Sequence, residues 1–277
     1  MKSKNVFLIF ALAASVLTLA ADNGRTGPDR PGEDDVSEPA VVKISEHLYL
    51  VSRKGPDGPD VAHCDVFAID CGSEAVLIDA GPGDPFYEPM KSSLKALGLW
   101  DKLRTCLITH LHEDHAAGVH LLRKDGVRIL AGTGAAKYSR NPALLKAHFR
   151  GEAPVIDEIV KDRSKLKIGD VTFQAVYTPG HTAGCVTWAA DIDGLKCAFT
   201  GDLLFPGGTI GWAGSFDFDA AKLKASLKRL LAMDIDAVFT GHQWQPKGPG
   251  DFWLKDAKKH IAETLKAGEE GRWKLAH

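Results

Sequence analysis

Apolar residues recur in short runs along most of the chain, and polar or glycine-rich segments separate the runs. Runs rich in β-branched and aromatic residues predict strands, and apolar residues at helical spacing predict helices. The strands are expected at residues 41–51, 65–70, 75–80, 103–109, 171–177 and 237–240, and residues 186–190 and 196–200 form a hairpin turned at Asp193-Gly194. The helices are expected at residues 85–97, after His115, at 219–233 with Asp219 near the N-cap, and at 251–267. Since strands, hairpins and helices interleave throughout, we predict one domain over residues 41–277 with helices and mixed sheets sharing a core.

The first forty residues have a different pattern. Lys2 and Lys4 precede an almost unbroken apolar run at residues 6–14, and small residues stand before Ala21. This pattern predicts a secretory signal peptide over residues 1–20, because the apolar run is shorter than the ~20 residues of a membrane span. An uncleaved anchor is the alternative. Residues 21–40 are rich in glycine, proline and acidic residues, which predicts a flexible tether. The signal peptide predicts an exported protein, either periplasmic or secreted.

Composition and charge are those of a globular protein. Of the residues, 44% are hydrophobic and 25% charged, and the formal net charge is −2. No basic run stands out, so we expect no nucleic-acid partner. We also expect no stable membrane span after signal cleavage, because no other apolar run is long enough. The cysteine count is odd and shows no framework spacing, so we interpret most of the cysteines as small buried hydrophobic residues. They are Cys64, Cys71, Cys106, Cys185 and Cys197.

Histidine and carboxylate residues crowd into one segment, Thr109-His110-Leu111-His112-Glu113-Asp114-His115, at the end of an apolar run. In an extended chain, residues two apart point the same way, so His110 and His112 can reach one metal ion. A bend after them would turn Asp114 and His115 toward a second ion. Imidazole nitrogens and carboxylate oxygens suit borderline ions such as Zn²⁺.

Three more polar residues follow apolar runs in glycine-containing loops. They are His181, Asp202 and His242. Catalytic groups often occupy such loops, where a rigid scaffold presents them. Each residue taken alone could be an ordinary turn residue. Together with the histidine-rich segment, the three residues complete two coordination shells.

These motifs are similar to the motifs of a known protein family. With LIDAG before it and TPGHTAG, TGD and GH after it, the segment THLHEDHAAG resembles the metallo-β-lactamase superfamily over residues 41–242. The resemblance implies an α+β fold, a four-layer αβ/βα sandwich of two mixed β-sheets flanked by helices. It places the metal site at one edge of the sandwich.

The resemblance also implies which residues hold metal. It implies two zinc ions per chain, with iron as a possible alternative, and a small-molecule substrate. Asp79 would support the ligands without binding metal. We further expect a catalytic role for Asp114 in handling a proton. The implied ligands are His110, His112 and His181 for one ion, Asp114, His115 and His242 for the other, and Asp202 for both.

Such a site would cleave an ester, thioester, lactone or lactam. Two cations ~3.5–4 Å apart lower the pKa of a shared water from about 15.7 to about 7, which supplies hydroxide at neutral pH. Asp202 makes the chain similar to two branches of the superfamily, the hydroxyacylglutathione hydrolases and the lactonases. True zinc β-lactamases carry cysteine or serine near the position of Asp202. A glutathione substrate is disfavoured, because export removes the protein from intracellular glutathione. The short segment after His242 is also expected to be too small for a glutathione-binding extension.

Two alternative functions stay open. A mononuclear iron site of the persulfide dioxygenase kind could use His110, His181 and Asp202. A non-catalytic scaffold of the same fold is the other alternative. The oligomeric state is left open as well.

The segment after Asp202 offers candidate pocket walls. Residues 205–214 form a glycine-rich loop with the aromatic residues Phe205 and Trp212, and Trp244 follows the last motif histidine. Apolar walls with few polar anchors suit a small ester, lactone or thioester, although the same residues could simply cap the core. Neither GK[ST] nor GxGxxG occurs, so the loop is not a phosphate loop.

Overall fold

Two mixed β-sheets lie at the centre of the structure. The computed structural model describes residues 40–52, 54–55, 58–59, 64–136, 153–242 and 254–275. All of them belong to one compact unit, Val36–His277. The predicted signal peptide lies outside the described residues, as does the predicted tether except Ala40, the first residue of a strand.

The first sheet has seven strands, antiparallel in its first half and parallel in its second half. In spatial order they are β1 (Ala40–Lys43), β2 (Leu48–Ser52), β5 (Val66–Asp70), β6 (Ala75–Ile78), β7 (Leu103–Ile108), β8 (Arg128–Gly132) and β9 (Glu158–Val160). Because β6 to β9 run parallel, their carboxyl ends lie at one edge of this sheet.

The second sheet has six strands and one parallel pair, β13 with β15. In spatial order they are β10 (Lys165–Ile168), β11 (Val171–Tyr177), β12 (Val186–Ile192), β13 (Leu195–Gly201), β15 (Ala237–Thr240) and β16 (Leu254–Lys255). Two small two-stranded sheets pair β3 (Lys54–Gly55) with β4 (Gly58–Pro59) and β14 (Thr209–Ile210) with β17 (Lys274–Leu275).

Helices cover the outer face of each sheet. The first sheet packs against α1 (Tyr87–Ala96) and α3 (Val119–Lys124), and the second against α4 (Ala220–Leu231) and α5 (Ala257–Glu269). The one-turn helix α2 (Glu113–Ala116) follows β7, and 3-10 turns span Trp100–Lys102 and Pro206–Gly208. This arrangement is the predicted four-layer αβ/βα sandwich.

Three apolar layers hold the sandwich together, and side-chain alternation along the strands feeds them. On β5, Phe67 and Ile69 point between the sheets, while Val66 and Ala68 point toward the helices. The aromatic rings of Phe67, Phe199 and Phe239 meet between the sheets, with centroids 4.9–5.4 Å apart. All five cysteines are buried free thiols, as expected.

The predicted hairpin turn at Asp193-Gly194 is confirmed. Both residues have positive φ, 56° and 77°, as the tight turn between β12 and β13 requires. The predicted N-cap is also present, because the Asp219 carboxylate accepts hydrogen bonds from the backbone N–H groups of Ala221 and Lys222 at the start of α4.

Two predictions of local structure are wrong, and several strands were missed. Residues 41–51 were predicted as one strand but form the antiparallel pair β1 and β2. The last helix begins at Ala257, because Leu254 and Lys255 pair with β15 instead of joining the helix. Strands β8, β9 and β10 were not predicted. None of the described helices is long and apolar enough to cross a membrane.

Candidate metal centre

The strand ends bring the motif residues to one edge of the sandwich. His110 follows β7, Asp202 follows β13 and His242 follows β15. His112 is the N-cap residue of α2, so Asp114 and His115 lie in that single helical turn. His181 lies in the loop after β11. The structure therefore brings all seven predicted ligands together.

One cluster contains three imidazoles and a carboxylate. Nδ1 of His112 lies 3.1 Å from Nε2 of His110 and 3.0 Å from Nε2 of His181. Nε2 of His181 lies 3.7 Å from a carboxylate oxygen of Asp202. The ligand atoms of these four residues all lie within 4.8 Å of one another.

A second cluster contains Asp114, His115 and His242. Nε2 of His242 lies 3.1 Å from Oδ2 of Asp114, and Nε2 of His115 lies 3.5 Å from the same oxygen. The Asp202 carboxylate joins the two clusters. Its Oδ1 lies 3.3 Å from Nε2 of His115, and its Oδ2 lies 3.4 Å from Nε2 of His242.

The buried carboxylate of Asp79 orients two of the histidines. Its Oδ2 lies 2.9 Å from Nδ1 of His115 and accepts a hydrogen bond from the hydroxyl of Thr109 at 2.8 Å. The Thr109 hydroxyl in turn lies 3.1 Å from Nδ1 of His110. Because their Nδ1 atoms are engaged on this side, both rings direct Nε2 into the clusters.

Glycine permits the close packing around Asp202. A Cβ atom on Gly241 would lie 2.2 Å from Oδ1 of Asp202 and 2.6 Å from Cε1 of His115. Any side chain at residue 241 would therefore displace the carboxylate or the ring.

The histidines of the first cluster are held neutral. Burial, followed by the neighbouring imidazoles, holds the pKa of His110 well below its usual value. Burial together with His181 lowers the pKa of His112 to about 3, and burial lowers the pKa of His181 to about 4. Neutral imidazole is the form that binds a metal ion.

The second cluster has the opposite electrostatics. Burial opposes charge on His242, but Asp202 and Asp114 raise its pKa to about 10. Burial likewise opposes charge on His115, whose pKa is nevertheless raised well above its usual value by Cys64 and the surrounding carboxylates. Burial opposes ionisation of Asp114 and Asp202, but the nearby imidazolium groups lower the pKa of both carboxyls. Two carboxylates facing two imidazolium groups form a site in which a divalent cation can replace protons.

The donor set fits zinc. Two imidazole nitrogens bound to a tetrahedral zinc ion lie about 3.3 Å apart, close to the spacing in the first cluster. Among the described residues, the buried Nε2 of His115 and the buried Oδ1 of Asp202 make no hydrogen bond, although they face each other. A bound cation would satisfy both atoms. The assignment of the seven residues as ligands stays a prediction.

The predicted pocket aromatics have different environments. The Trp212 side chain is 55% exposed, and its ring centroid lies 6.2 Å from that of His112. Phe205 is fully buried and caps the core beside His242. Trp244 lies outside the described residues.

Three further residues contact the ligand residues, and the sequence patterns gave none of them a role. Thr109 links Asp79 to His110, Gly241 leaves room for Asp202, and the Cys64 thiol lies 3.1 Å from Nδ1 of His115. Thr109 and Gly241 each directly precede a motif histidine, which was an available signal. Cys64 has no such signal, because only folding brings it to His115.

Comparison with known proteins gives matches over this part of the chain. The sequence profile of the metallo-beta-lactamase superfamily matches residues 59–242. A hydroxyacylglutathione hydrolase of Albidiferax ferrireducens is 34% identical over 174 residues, which cover 61% of this chain and 58% of that protein. An atrochrysone carboxyl ACP thioesterase of Aspergillus fumigatus is 26% identical over 218 residues, which cover 79% of this chain and 60% of that protein. The chain thus spans about 60% of the length of these curated relatives.

Solved structures of the same fold are also similar to this chain. A HARLDQ-motif mutant of the metallo-beta-lactamase of Cronobacter sakazakii superposes with a TM-score of 0.65 at 21% identity, covering 84% of this chain and 96% of that one. The native metallo-beta-lactamase of Legionella gormanii gives a TM-score of 0.62 at 19% identity, covering 84% and 95%. At these identities the likeness shows the fold.

Proposed function

The chain belongs to the metallo-β-lactamase superfamily, and on that basis we propose that it is a hydrolase that cleaves a carbonyl substrate at a dinuclear zinc site. The observation that carries the proposal is the position of Asp202 between two clusters of ligand atoms. Its Oδ1 faces His115 and its Oδ2 faces His181 and His242. This is the arrangement expected of a carboxylate that bridges two ions.

The second cluster favours this function over a mononuclear iron oxygenase. An iron site built from His110, His181 and Asp202 would leave Asp114, His115 and His242 without a role. Those three residues place their ligand atoms within 4.8 Å of one another. Two histidines and a carboxylate gathered at one partly exposed edge are typical of a functional site.

Zinc ions at these positions would supply Lewis acidity and lower the pKa of a water molecule held between them. The protein supplies the orientation and the protonation states. Burial keeps His110, His112 and His181 neutral, and Asp79 fixes the rings of His110 and His115.

Asp114 is suited to move a proton. Its side chain is 38% exposed, whereas the side chain of Asp202 is 10% exposed. The Asp114 carboxylate therefore has access both to the ligand cluster and to solvent. We assign it the transfer of a proton from the attacking oxygen to the departing group when the carbonyl intermediate collapses.

Thioesters are the first substrates to test. By their names, the two curated relatives act on acyl groups carried by glutathione and by an acyl carrier protein. Esters, lactones and lactams undergo the same attack at a carbonyl carbon and complete the panel.

The test combines metal content with turnover. Protein purified without added metal is analysed by elemental mass spectrometry, and hydrolysis of the panel is measured before and after chelation and zinc readdition. We expect about two zinc ions per chain and a loss of at least ~100-fold in kcat/KM for Asp202→Ala. Asp234→Ala is the matched control, since the Asp234 side chain is 75% exposed and Asp234 precedes β15, whose other end leads to His242. Undiminished turnover in Asp202→Ala would overturn the proposal, and so would one iron with oxygen uptake. Bound zinc without turnover of any substrate in the panel would favour the alternative of a non-catalytic scaffold of the same fold.

We also propose export, on the basis of the N-terminal sequence pattern. The expected mature N-terminus is Ala21. Intact mass measurement of the protein from its native host, fractionated by compartment, tests both cleavage and location. A full-length mass in the cytoplasmic fraction would contradict export.

A further inference from the structure

The loop after Asp202 exposes large apolar side chains beside the ligand clusters. We call residues 203–216 the aromatic loop. Its residues Trp212 and Phe216 are 55% and 58% exposed, more than the other large apolar side chains of the described residues. Exposed aromatic groups that adjoin a polar site are typical of ligand-binding surfaces.

Trp212 lies directly beside the first cluster. Its ring centroid is 6.2 Å from that of His112, whose Nδ1 faces the other two imidazoles. The indole ring also lies against Gly214, where a Cβ atom would be 2.4 Å from the ring. The indole therefore rests on the bare backbone at Gly214 and extends to the edge of the metal centre.

Backbone hydrogen bonds anchor the aromatic loop to the ligand-bearing segments. The N–H of Gly211 donates to the carbonyl of Asp202 at 3.0 Å, directly before Trp212. Beyond the loop, the Asp217 carboxylate accepts a hydrogen bond of 2.6 Å from the N–H of Ala183, two residues after His181. The backbone on both sides of Trp212 is thus tied to segments that carry two of the ligands, which favours a preformed surface.

The aromatic loop carries no charge. Residues 203–216 contain neither basic nor acidic side chains. The next residue, Asp217, is acidic and engages Ser215 and Ala183. The loop therefore offers apolar contact and no cation, so it gives nothing to pair with the carboxylates of a glutathione moiety.

We propose that Trp212 is a specificity-determining residue that binds an apolar acyl chain of the substrate next to the metal centre. The inference rests on the proposed hydrolase function and narrows it. The preferred substrates are thioesters or esters with an uncharged acyl chain of several carbons. The scissile carbonyl would lie at the ligand clusters, and the chain would lie along the indole.

The activity test uses the zinc-loaded full chain and a homologous series of thioesters. Acetyl, butyryl, hexanoyl and octanoyl thioesters of N-acetylcysteamine are compared, so that only the length of the acyl chain changes. For the unmodified protein we expect kcat/KM to rise about 1.5-fold per added methylene, or about 10-fold from acetyl to octanoyl, well below the ~4-fold per methylene of complete burial. In Trp212→Ala this dependence on chain length is lost, whereas activity on the acetyl thioester changes less than about 3-fold.

Two further variants test whether the position of the Trp212 indole matters and whether truncating any exposed apolar side chain has the same effect. Gly214→Ala keeps the indole but displaces it, so the chain-length dependence should also fall. Val41→Ala is the matched control, because Val41 is 38% exposed and lies in β1, the edge strand of the first sheet, with β2, β5 and β6 between it and β7. Val41→Ala should behave like the unmodified protein.

A binding measurement decides the inference independently of turnover. Octanoate and acetate are titrated into the zinc-loaded proteins by calorimetry, with zinc content measured in each sample. We expect octanoate to bind ~5- to 10-fold more weakly to Trp212→Ala, and acetate to bind equally to both proteins. An unchanged chain-length dependence together with unchanged octanoate binding in Trp212→Ala would overturn the inference and leave the hydrolase proposal standing. If the zinc-loaded protein cleaves no ester or thioester, the hydrolase proposal fails, and octanoate binding still tests the role of Trp212.

Discussion

Oδ2 of Asp79 lies 2.9 Å from Nδ1 of His115, and the same oxygen accepts the hydroxyl hydrogen bond of Thr109. Since Thr109 also contacts Nδ1 of His110, one buried carboxylate orients a histidine in each ligand cluster. The backbone of Asp79 has a φ of 63°, which is unusual for a residue with a side chain. This conformation directs the carboxylate from the end of β6 toward the end of β7. The two clusters are therefore coupled through Asp79 as well as through Asp202.

The coupling through Thr109 can be tested by an isosteric substitution. Thr109→Val removes the hydroxyl from a buried position and leaves both Asp79 and His110 with one hydrogen bond fewer. We expect zinc affinity, measured by competition with a chromophoric chelator, to fall about 10- to 100-fold. Thr109→Ser keeps the hydroxyl and should retain affinity within about 3-fold. Equal affinities for the valine and serine variants would show that the hydroxyl does not orient His110.

Zinc binding should release protons from the second cluster. At pH 7.5 the metal-free protein carries protonated His115 and His242, whose pKa values are raised, whereas the lowered pKa values of His112 and His181 keep those rings neutral. We therefore expect about two protons to be released from these histidines when both ions bind, in addition to the proton lost by the zinc-bound water, and zinc affinity to rise as the pH increases from 6 to 8. Calorimetric titration in buffers of different ionisation enthalpy counts these protons.

Matched histidine variants assign the released protons. His242→Ala should lower the count by about one, while His112→Ala should leave it unchanged, because His112 is already neutral. If both variants released the same number of protons, the assignment of charge to the second cluster would be wrong.

The sequence could predict that the candidate ligands lie together because they belong to local motifs. His110, His112, Asp114 and His115 fall within six residues, so the end of one strand and a single helical turn position them. The four-layer arrangement was predicted through the family resemblance, and the superfamily match over residues 59–242 supports it.

The elements that were predicted wrongly depend on distant contacts. The turn between β1 and β2 is fixed by Asp193 of the second sheet, whose carboxylate accepts hydrogen bonds from the Ser45 hydroxyl and the His47 backbone. Nothing within residues 41–51 reveals this partner, so the segment looked like one strand. The contact of Cys64 with His115 likewise joins residues 51 positions apart. Periodicity describes neighbours along the chain, and these contacts arise only from folding.

The N-cap of α4 should contribute measurably to stability. The Asp219 carboxylate accepts hydrogen bonds of 3.0 Å from the N–H groups of Ala221 and Lys222. Asp219→Ala removes this acceptor and should lower the free energy of unfolding by about 1 kcal/mol, measured by urea denaturation. Asp219→Asn retains a capping oxygen and should lose only a few tenths of a kcal/mol. An alanine variant as stable as the unmodified protein would mean that solvent caps α4 equally well.

Gly241 should control whether the clusters can hold two ions. Because a Cβ at this position would lie 2.2 Å from Oδ1 of Asp202 and 2.6 Å from His115, Gly241→Ala must move one of these groups. We expect the variant to bind fewer than two zinc ions by elemental mass spectrometry and to lose at least ~100-fold in kcat/KM. Gly194→Ala is the contrasting control, since a Cβ there meets no atom within 4 Å while its φ of 77° is unfavourable for alanine. That variant should lose about 1 kcal/mol of stability and keep its zinc. If Gly241→Ala also kept both ions, the close packing of Gly241 against Asp202 would not be what sets the metal geometry.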